Sequence, residues 1–469
     1  DSQVWRGRRH RRAAAPGGLS WPRRAASGEG SASACSPGCA VRARFRRCHR
    51  RRRRLRRRRL LHTHTHTPAR LRWTRSCKGV HRRPCSCVLS RTLMTQPQPF
   101  PRLVSARDWM REFFLGVSEP HLLADRARHV VCDGGGELCF RHADGETLWR
   151  AGRFECPTVA ELRRRLAEQQ HVAVDALPIT VADGVDIGRL QASLTTEDRA
   201  LVQVASNFNA LEVPSRGVPP DYGGLVTGYA TDSTQGPAAS FGVPAASLLR
   251  AHFPFFDGAA PASSWGQTAE RQVELLGELR EEYGRCVNGK ATLRRGGGAP
   301  GEDAAAAVAA LSGRIRVGWH VDAEVVFDRG PSRGTLALLP EGERPLVDQV
   351  LSAAVNLNDP LNAPRSDARE TTRRLVAAAL SAAYEGAYLA AALRGNRLLL
   401  LTLVGGGVFG NDEAAILDAI AEAHARWAPC SSLREVRLCL YQRDAAAAVD
   451  AELRRRLEAR GAERDIVPR

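Results

Sequence analysis

The run LLLLTLVGGGVFGND, Leu398–Asp412, constrains the fold of this chain more than any other segment. Its first half is apolar except for Thr402, which predicts a strand over Leu398–Val404 that is buried on both faces. Glycines follow, and the next segment predicts a helix over Asp412–Trp427. A buried strand that a short loop joins to a helix is typical of α/β proteins, whose sheets carry helices on both faces.

Other segments of the chain alternate in the same way. Continuous apolar runs predict strands over Ala200–Ser206, Val347–Leu357 and Val436–Tyr441. Helical patterns and capping signals predict helices over Pro237–Phe253, Ala269–Tyr283 and Thr371–Leu393. We therefore expect an α/β fold with a mostly buried sheet.

The net charge of +19 lies almost entirely at one end of the 469-residue chain. Residues 1–93 hold 27 Arg and Lys against Asp1 and Glu29, a charge of +25, so residues 94–469 carry a charge of −6. The globular part is therefore mildly acidic, and the basic composition does not indicate its partners.

The basic leader, residues 1–93, is predicted to be disordered. Arg50–Arg59 is almost pure arginine and His62–Thr67 reads HTHTHT, so the leader cannot bury enough apolar surface to fold. Because Met94 is the first methionine, we expect that the leader is not part of the native protein. Two alternatives are a transit peptide and a basic segment that binds nucleic acid or directs the protein to the nucleus.

Residues 94–195 are predicted to form a small α+β extension or accessory subdomain ahead of the main domain, residues 196–469. Within the extension, Thr158 and Glu161 have the spacing of a capping box at a helix start. Nothing in the extension indicates a catalytic group.

Cysteine usage bears on the compartment. Six of the twelve cysteines lie in the leader, and the other six are scattered without a CxxC pair: Cys132, Cys139, Cys156, Cys286, Cys430 and Cys439. Scattered thiols fit a reducing compartment, so a cytoplasmic location is expected, or a nuclear one if the leader is genuine. We expect no metal site, no cofactor and no membrane association, because no apolar run reaches transmembrane length.

The glycine-rich loop between the predicted strand and helix is the strongest candidate for a ligand site. Its glycines allow close approach of the backbone, and free amides at a helix start can bind phosphate. The alternative is a tight strand–helix turn without a ligand. The loop has no GK[ST] for a Walker A motif and no acidic residue at the ribose-binding offset of a dinucleotide fold. Its residues are Gly405, Gly406, Gly407, Val408, Phe409, Gly410 and Asn411.

Two further polar segments are weaker candidates. Asn207 and Asn209 follow the strand Ala200–Ser206, and if the backbone stays extended both amides reach one ligand; the alternative is an Asx turn. The second segment, Thr231–Pro237, opens a helix, and capping explains its Asp232 and Thr234. Capping does not explain Gln235 before Gly-Pro, which we expect to face a cleft.

Together these stretches resemble the macro-domain superfamily, in particular its poly(ADP-ribose) glycohydrolase-like branch. The resemblance rests on QVASNFNALE (Gln203–Glu212), GGLVTGYATDSTQGPAAS (Gly223–Ser240) and Tyr384–Ala423, which includes LVGGGVFGND, and it covers roughly residues 200–442. It implies a three-layer α/β/α fold with a mixed sheet, so that residues 196–469 form a macro-like domain that binds ADP-ribose. Some members hydrolyse ADP-ribose from proteins and others only bind it.

The resemblance also implies roles for individual residues. Asn207 and Asn209 lie by the distal ribose, and Gly405–Asn411 holds the diphosphate with Phe409 stacking near the ribose or adenine. The segment Gly223–Gly236 supplies the other wall, including the ligand-binding candidates Thr234, Gln235 and Gly236.

The chain departs from the glycohydrolase pattern at the catalytic acid. The family carries a GGG run followed by a pair of glutamates, one of them the general acid, whereas this chain has Gly223-Gly224 and no Glu-Glu pair. Hydrolysis at the ribose anomeric carbon needs a carboxyl group that burial keeps partly protonated. Our hypothesis is that Asp232 is this acid, with Asn207 and Asn209 orienting the substrate.

Three classes of function follow from these observations. The first is an ADP-ribosyl glycohydrolase acting on ADP-ribosylated protein, and the second is an ADP-ribose reader with the same fold. The third is a nucleic-acid-binding protein that acts through the leader. The hydrolase is our first reading, because two polar loops beside one glycine-rich loop exceed what binding needs.

Overall fold

The computed structural model describes residues 102–133, 137–169, 177–280, 282–293, 304–330, 334–362 and 369–464. The expected leader, residues 1–93, lies outside these ranges. The strands are β1 (Arg102–Ser105), β2 (Val130–Cys132), β3 (Leu138–Arg141), β4 (Leu148–Glu155), β5 (Ile179–Ala182), β6 (Ala200–Ser206), β7 (Arg285–Val287), β8 (Lys290–Thr292), β9 (Gly318–Glu324), β10 (Phe327–Arg329), β11 (Thr335–Leu338), β12 (Leu346–Ala353), β13 (Leu398–Leu401) and β14 (Glu435–Cys439).

The α-helices lie between and after these strands. They are α1 (Glu119–Ala124), α2 (Val159–Ala167), α3 (Ile187–Ala192), α4 (Leu225–Tyr229), α5 (Gln235–Gly242), α6 (Pro244–His252), α7 (Ala304–Arg314), α8 (Arg369–Arg394), α9 (Glu413–Trp427) and α10 (Ala446–Arg464). The capping box predicted at Thr158 and Glu161 is confirmed at the start of α2.

A mixed sheet forms the centre of the described fold. Its nine strands follow the order β2-β3-β4-β9-β12-β6-β13-β14-β5. The strands β12, β6, β13, β14 and β5 are parallel to one another, whereas β9 and β4 run antiparallel to their neighbours. The carboxyl ends of the parallel strands therefore meet at one edge of the sheet, where α/β proteins bind their ligands.

Helices cover both faces of this sheet. The helices α2, α7 and α9 pack with α8 on one face, while α3, α5 and α6 cover the other. All four residues of β13 are buried, as the apolar run Leu398–Leu401 predicted. The predicted three-layer α/β fold with a mixed, mostly buried sheet is thereby confirmed.

The helix α8 lies at the centre of one layer. By length and composition it could cross a membrane, but 83% of its most apolar stretch is buried within the fold. It packs on β12, β6 and β13 and against three other helices. Its apolar composition is accordingly that of a core helix.

The described residues of the predicted extension do not stand apart from the main domain. The strand β4 pairs with β9, and β5 pairs with β14 at the opposite end of the same sheet. The described residues of this region thus add strands to the central sheet at both edges, and the division at residue 195 stays a prediction.

The amphipathic segment Ala269–Tyr283 is not the predicted α-helix. Over its described residues only Gly277–Arg280 is helical, as one 3₁₀ turn. Its backbone amides instead bond to distant acceptors: Val273 N donates to Gln267 Oε1 at 3.0 Å, and Leu275 N donates to Phe208 O at 2.8 Å. Tertiary contacts therefore override the helical pattern of this segment.

Candidate functional site

A crevice opens at the carboxyl edge between β6 and β13. The two strands pair only from Ala200 to Val202 of β6. Beyond Val202, the backbone of β6 bonds to the side chain of Gln235 instead of to β13. Ala205 N donates to Gln235 Oε1, and Gln235 Nε2 donates to Gln203 O, both at 2.8 Å. Because β13 no longer pairs with β6 there, the loops that follow the two strands diverge, and the space between them is the candidate crevice.

The loop after β6 closes on itself through Asn207. The Asn207 Nδ2 donates to Leu211 O at 2.9 Å, and Asn207 N donates to the same carbonyl at 2.9 Å. Ala210 has a φ of 58°, so this segment is a turn and the extended backbone assumed for Asn207 and Asn209 is wrong.

Asn209 is held by contacts of its own. Its Nδ2 donates to Gln272 Oε1 at 3.0 Å, and its Oδ1 accepts from Leu211 N at 3.3 Å. Both asparagines are almost fully buried. The structure therefore gives the two amides separate protein partners, and their role towards a substrate stays a prediction.

Lys290 lies between the two loops, and the sequence analysis missed it. It follows the Asn288-Gly289 turn of the hairpin formed by β7 and β8. The Lys290 Nζ donates to Asn207 Oδ1 at 3.0 Å and lies 5.8 Å from the centroid of the Phe409 ring. The Asn-Gly pair signals a hairpin in the sequence, but nothing there indicates which loops its lysine contacts.

Burial shifts the acidity of this lysine. Desolvation lowers the pKa of Lys290, and the nearby carboxyl of Glu212 opposes that shift. The ammonium group therefore has a carboxyl, an amide oxygen and an aromatic ring around it. Such a cation, placed at the mouth of the crevice, suits an anionic ligand.

The glycine-rich loop after β13 keeps several amides free. Gly406 N and Gly410 N donate to Leu403 O and Gly407 O within the loop. Among the described residues, no protein acceptor is bonded to the amides of Gly405, Gly407 and Val408. Free amides on consecutive loop residues form a concave site for an anion.

Two contacts hold the glycine-rich loop in place. Asn411 is buried, and its Nδ2 donates to Gly405 O and Val355 O, both at 2.9 Å. Gly405 has a φ of 79°, and a Cβ there would lie 2.5 Å from the Cβ of Ala354. Only glycine fits this position, because the left-handed backbone and the close approach both exclude a side chain.

The helix α9 does not begin directly after the glycines of the loop. The turn Gly407–Phe409 is a 3₁₀ helix of its own, and α9 begins only at Glu413. Asp412 caps α9 by accepting from Ala414 N at 3.4 Å, which places a carboxylate at the helix start. An anion at Gly405–Asn411 stays a prediction, and the amides available to it belong to the loop ahead of α9 rather than to the helix start.

The two large apolar side chains of the loop, Val408 and Phe409, differ in exposure. Val408 is 72% exposed, which is unusual for an apolar residue of this size. Phe409 is half-buried against the main core, and its ring is reached by Lys290. The accessible ring can stack on a sugar or base of a bound ligand.

Asp232 lies on the surface in front of α5. Its Oδ1 accepts from Thr234 N at 2.9 Å and from Thr234 Oγ1 at 2.7 Å. Asp232 and Thr234 are both exposed, and Thr234 is the N-cap residue of α5. The hypothesis for Asp232 required a buried carboxyl group, whereas the carboxyl group of Asp232 is exposed.

Gln235 and Gly236 begin α5 beside the crevice. Gln235 lines a narrow cavity together with Ser233, Thr402 and Tyr441, but both ends of its side-chain amide are bonded to the β6 backbone, so its role towards a ligand stays a prediction. Gly236 is buried, and a Cβ there would overlap the carbonyl oxygen of Ala205 and lie 2.5 Å from the carboxyl carbon of Glu212. The backbone of α5 therefore lies directly on β6 and on the loop that ends at Glu212.

Metal ligands are not grouped in the described part of the chain. Within those residues, no cluster of three or more His, Cys, Asp or Glu could hold a metal ion.

The fold and the crevice define a three-layer α/β protein with a glycine-lined site at the carboxyl edge of its sheet. No family model and no curated protein matches the chain. Among solved structures it is similar to poly(ADP-ribose) glycohydrolase from Thermomonospora curvata, with 17% sequence identity, a TM-score of 0.38, and coverage of 72% of this chain and 98% of the other.

A second similar structure is poly(ADP-ribose) glycohydrolase from Deinococcus radiodurans in complex with ADP-ribose. It has 16% sequence identity and a TM-score of 0.37, and the match covers 66% of this chain and 94% of that one. At such identities and TM-scores, the function has to be argued from this chain's own residues.

Proposed function

We propose that the crevice binds ADP-ribose and that the protein hydrolyses an ADP-ribosyl linkage, with ADP-ribosylated protein as substrate. The observation that carries this proposal is the convergence of two loops on Lys290. Its ammonium group is bonded to Asn207 and lies over the ring of Phe409. Cation, free amides and an aromatic ring thus occupy one crevice.

Each of these groups matches one part of ADP-ribose. The free amides of Gly405, Gly407 and Val408 suit the diphosphate, and Lys290 adds the opposite charge. The half-buried ring of Phe409 suits the ribose or adenine face. The start of α5, Thr234–Gly236, forms the opposite wall.

The resemblance of the three sequence motifs to glycohydrolase-like macro domains supports the same ligand. It does not distinguish a hydrolase from a reader. The absence of a Glu-Glu pair after Gly223-Gly224 favours the reader as the second candidate. A reader would bind ADP-ribose without turnover, and this property distinguishes it from a hydrolase.

One experiment tests both candidates. The full-length chain is titrated with ADP-ribose by calorimetry and incubated with ADP-ribosylated protein, and released ADP-ribose is measured. Binding together with release supports the hydrolase, and binding without release supports the reader. No heat of binding at millimolar ADP-ribose contradicts both.

The first testable substitution is Lys290→Met, which removes the cation and keeps an unbranched apolar side chain. We expect the Kd for ADP-ribose to rise about 10-fold to 100-fold, because a hydrogen bond to a charged group contributes about 1.5–3 kcal/mol. Arg285→Met removes an exposed cation from the same hairpin and is the matched control. Equal affinities of Lys290→Met and Arg285→Met would exclude Lys290 from the site.

The location and the leader remain predictions. We propose a cytoplasmic location, which is supported by the six free cysteines in the described part of the chain. Nucleic-acid binding through residues 1–93 concerns a segment outside the described residues.

A further inference from the structure

Glu212 ends the loop that follows β6, and its carboxyl group is placed unusually. The side chain is half-buried as a whole, but its Oε1 is fully buried and has no hydrogen-bond partner among the described residues. Oε2 is not among the fully buried side-chain atoms that lack a partner. A buried carboxyl oxygen without a donor is costly unless the group carries a proton.

The backbone around Glu212 fixes where this carboxyl lies. Glu212 N donates to the hydroxyl of Tyr229 at 3.0 Å, and Tyr229 is itself buried in α4. On the other side, Gly236 leaves room for the carboxyl, since a Cβ there would lie 2.6 Å from Oε1. The carboxyl group of Glu212 therefore occupies the space that a side chain at Gly236 would take.

Charged groups from several elements face this carboxyl. Lys290 comes from β8, Arg250 from α6 and Asp232 from the segment before α5. Burial raises the pKa of Glu212 well above its usual 4.5; Lys290 and Arg250 oppose the rise, and Asp232 adds to it. Arg250 is fully buried, and its nearest hydrogen-bond partner, Ser247 Oγ at 3.0 Å, is neutral.

We propose that Glu212 is the catalytic general acid of this crevice, in place of the Glu-Glu pair that the chain lacks. This proposal rests on the hydrolase function proposed above. In the reaction, the bond between the anomeric carbon of the distal ribose and the leaving-group oxygen breaks while the Glu212 carboxyl gives its proton to that oxygen. Water then attacks the anomeric carbon and returns one proton to the Glu212 carboxylate, which restores the acid.

Position favours Glu212 over Asp232. Glu212 ends the loop that carries Asn207, Asn207 accepts from Lys290, and the Glu212 carboxyl raises the pKa of that lysine. Asp232 is exposed, and its carboxyl accepts from Thr234 at the start of α5. This capping contact explains its position without a role in the chemistry. Glu212 and Asp232 are thus the two candidates for the role of proton donor.

The test compares full-length Glu212→Gln, Asp232→Asn and Glu146→Gln, the last an exposed glutamate in the turn between β3 and β4. Release of ADP-ribose from ADP-ribosylated protein and the Kd for ADP-ribose are measured for each. We expect kcat of Glu212→Gln to fall about 100-fold to 10,000-fold, as for loss of a general acid. Its Kd and thermal unfolding should match those of the unmodified chain, and Glu146→Gln should keep full turnover.

A pH profile separates a proton donor from a structural residue. In the unmodified chain kcat falls as the pH rises through the pKa of the acid, and Glu212→Gln should lose this dependence. Glu212→Asp keeps a carboxyl and should retain part of the turnover with the pH dependence. An active chain in which Glu212→Gln retains its kcat, or in which Asp232→Asn alone abolishes it, would overturn the assignment.

Failure of the underlying function gives a different result. If the unmodified chain binds ADP-ribose but releases none from ADP-ribosylated protein, the hydrolase function fails and the assignment of Glu212 with it. Loss of the assignment alone requires measurable turnover in the unmodified chain.

Discussion

Glu119→Ala should lower the free energy of unfolding by about 3 kcal/mol, because it removes a buried carboxylate that accepts from several buried donors. Glu119 is 1% exposed and accepts from His252 Nε2 at 2.8 Å. It also accepts from Val226 N at 3.2 Å and from Thr227 N at 2.8 Å at the start of α4. The alanine would leave these buried donors without an acceptor.

The same carboxylate should make stability depend on pH. Burial alone would raise the pKa of Glu119, but His252 and the amides of Thr227 and Val226 outweigh it and hold the pKa below 4.5. A carboxylate with a lowered folded-state pKa stabilises the fold above its unfolded pKa, and this contribution is lost as the pH falls through the folded pKa. Glu119→Ala should therefore lose this part of the acid sensitivity below about pH 4.5.

Urea unfolding of the full-length chain, measured at neutral and acidic pH, checks both expectations. Glu112→Ala is the control, because Glu112 is an exposed glutamate close to Glu119 in the sequence. A loss of stability in Glu119→Ala no larger than in Glu112→Ala would contradict the buried-pair argument.

Gly236→Ala should destabilise the fold by about 3 kcal/mol, at the upper end of the range for overpacking a buried site. The added Cβ would overlap the carbonyl oxygen of Ala205, which cannot move without disturbing β6. It would also displace the carboxyl of Glu212, so we expect weaker turnover in the molecules that remain folded. Urea unfolding and ADP-ribose release are the measurements.

Gly228→Ala is the matched control for this substitution. Gly228 lies within α4, and a Cβ there meets no atom within 4 Å. Alanine in a helix should be neutral or stabilising by up to about 1 kcal/mol. If both substitutions had the same small effect, the close contact between α5 and β6 would not be the constraint that we infer.

Much of the fold could be predicted from the sequence, because apolar runs report burial directly. Leu398–Leu401 is completely buried, and the predicted helix from Thr371 to Leu393 lies within α8. The strand predicted from Ala200 to Ser206 has the bounds of β6. These elements depend mainly on local pattern, which the sequence contains.

The candidate site was less predictable, because its residues act through distant contacts. The segment Ala269–Tyr283 has a helical pattern, yet its amides bond to the loop after β6 and to Gln267. Asp232 was chosen for its neighbours in the sequence, but in the fold it is exposed and bonded to Thr234.

The sequence by itself therefore determined the layered α/β class, the buried strands and the glycine-rich loop, since each follows from hydrophobic period or glycine content. Only the tertiary structure decided which groups meet in the crevice. Lys290 and Asn207 are 83 residues apart in the chain, yet their side chains are 3.0 Å apart. Gly236 and Glu212 likewise meet because α5 packs on β6, and no local pattern encodes that contact.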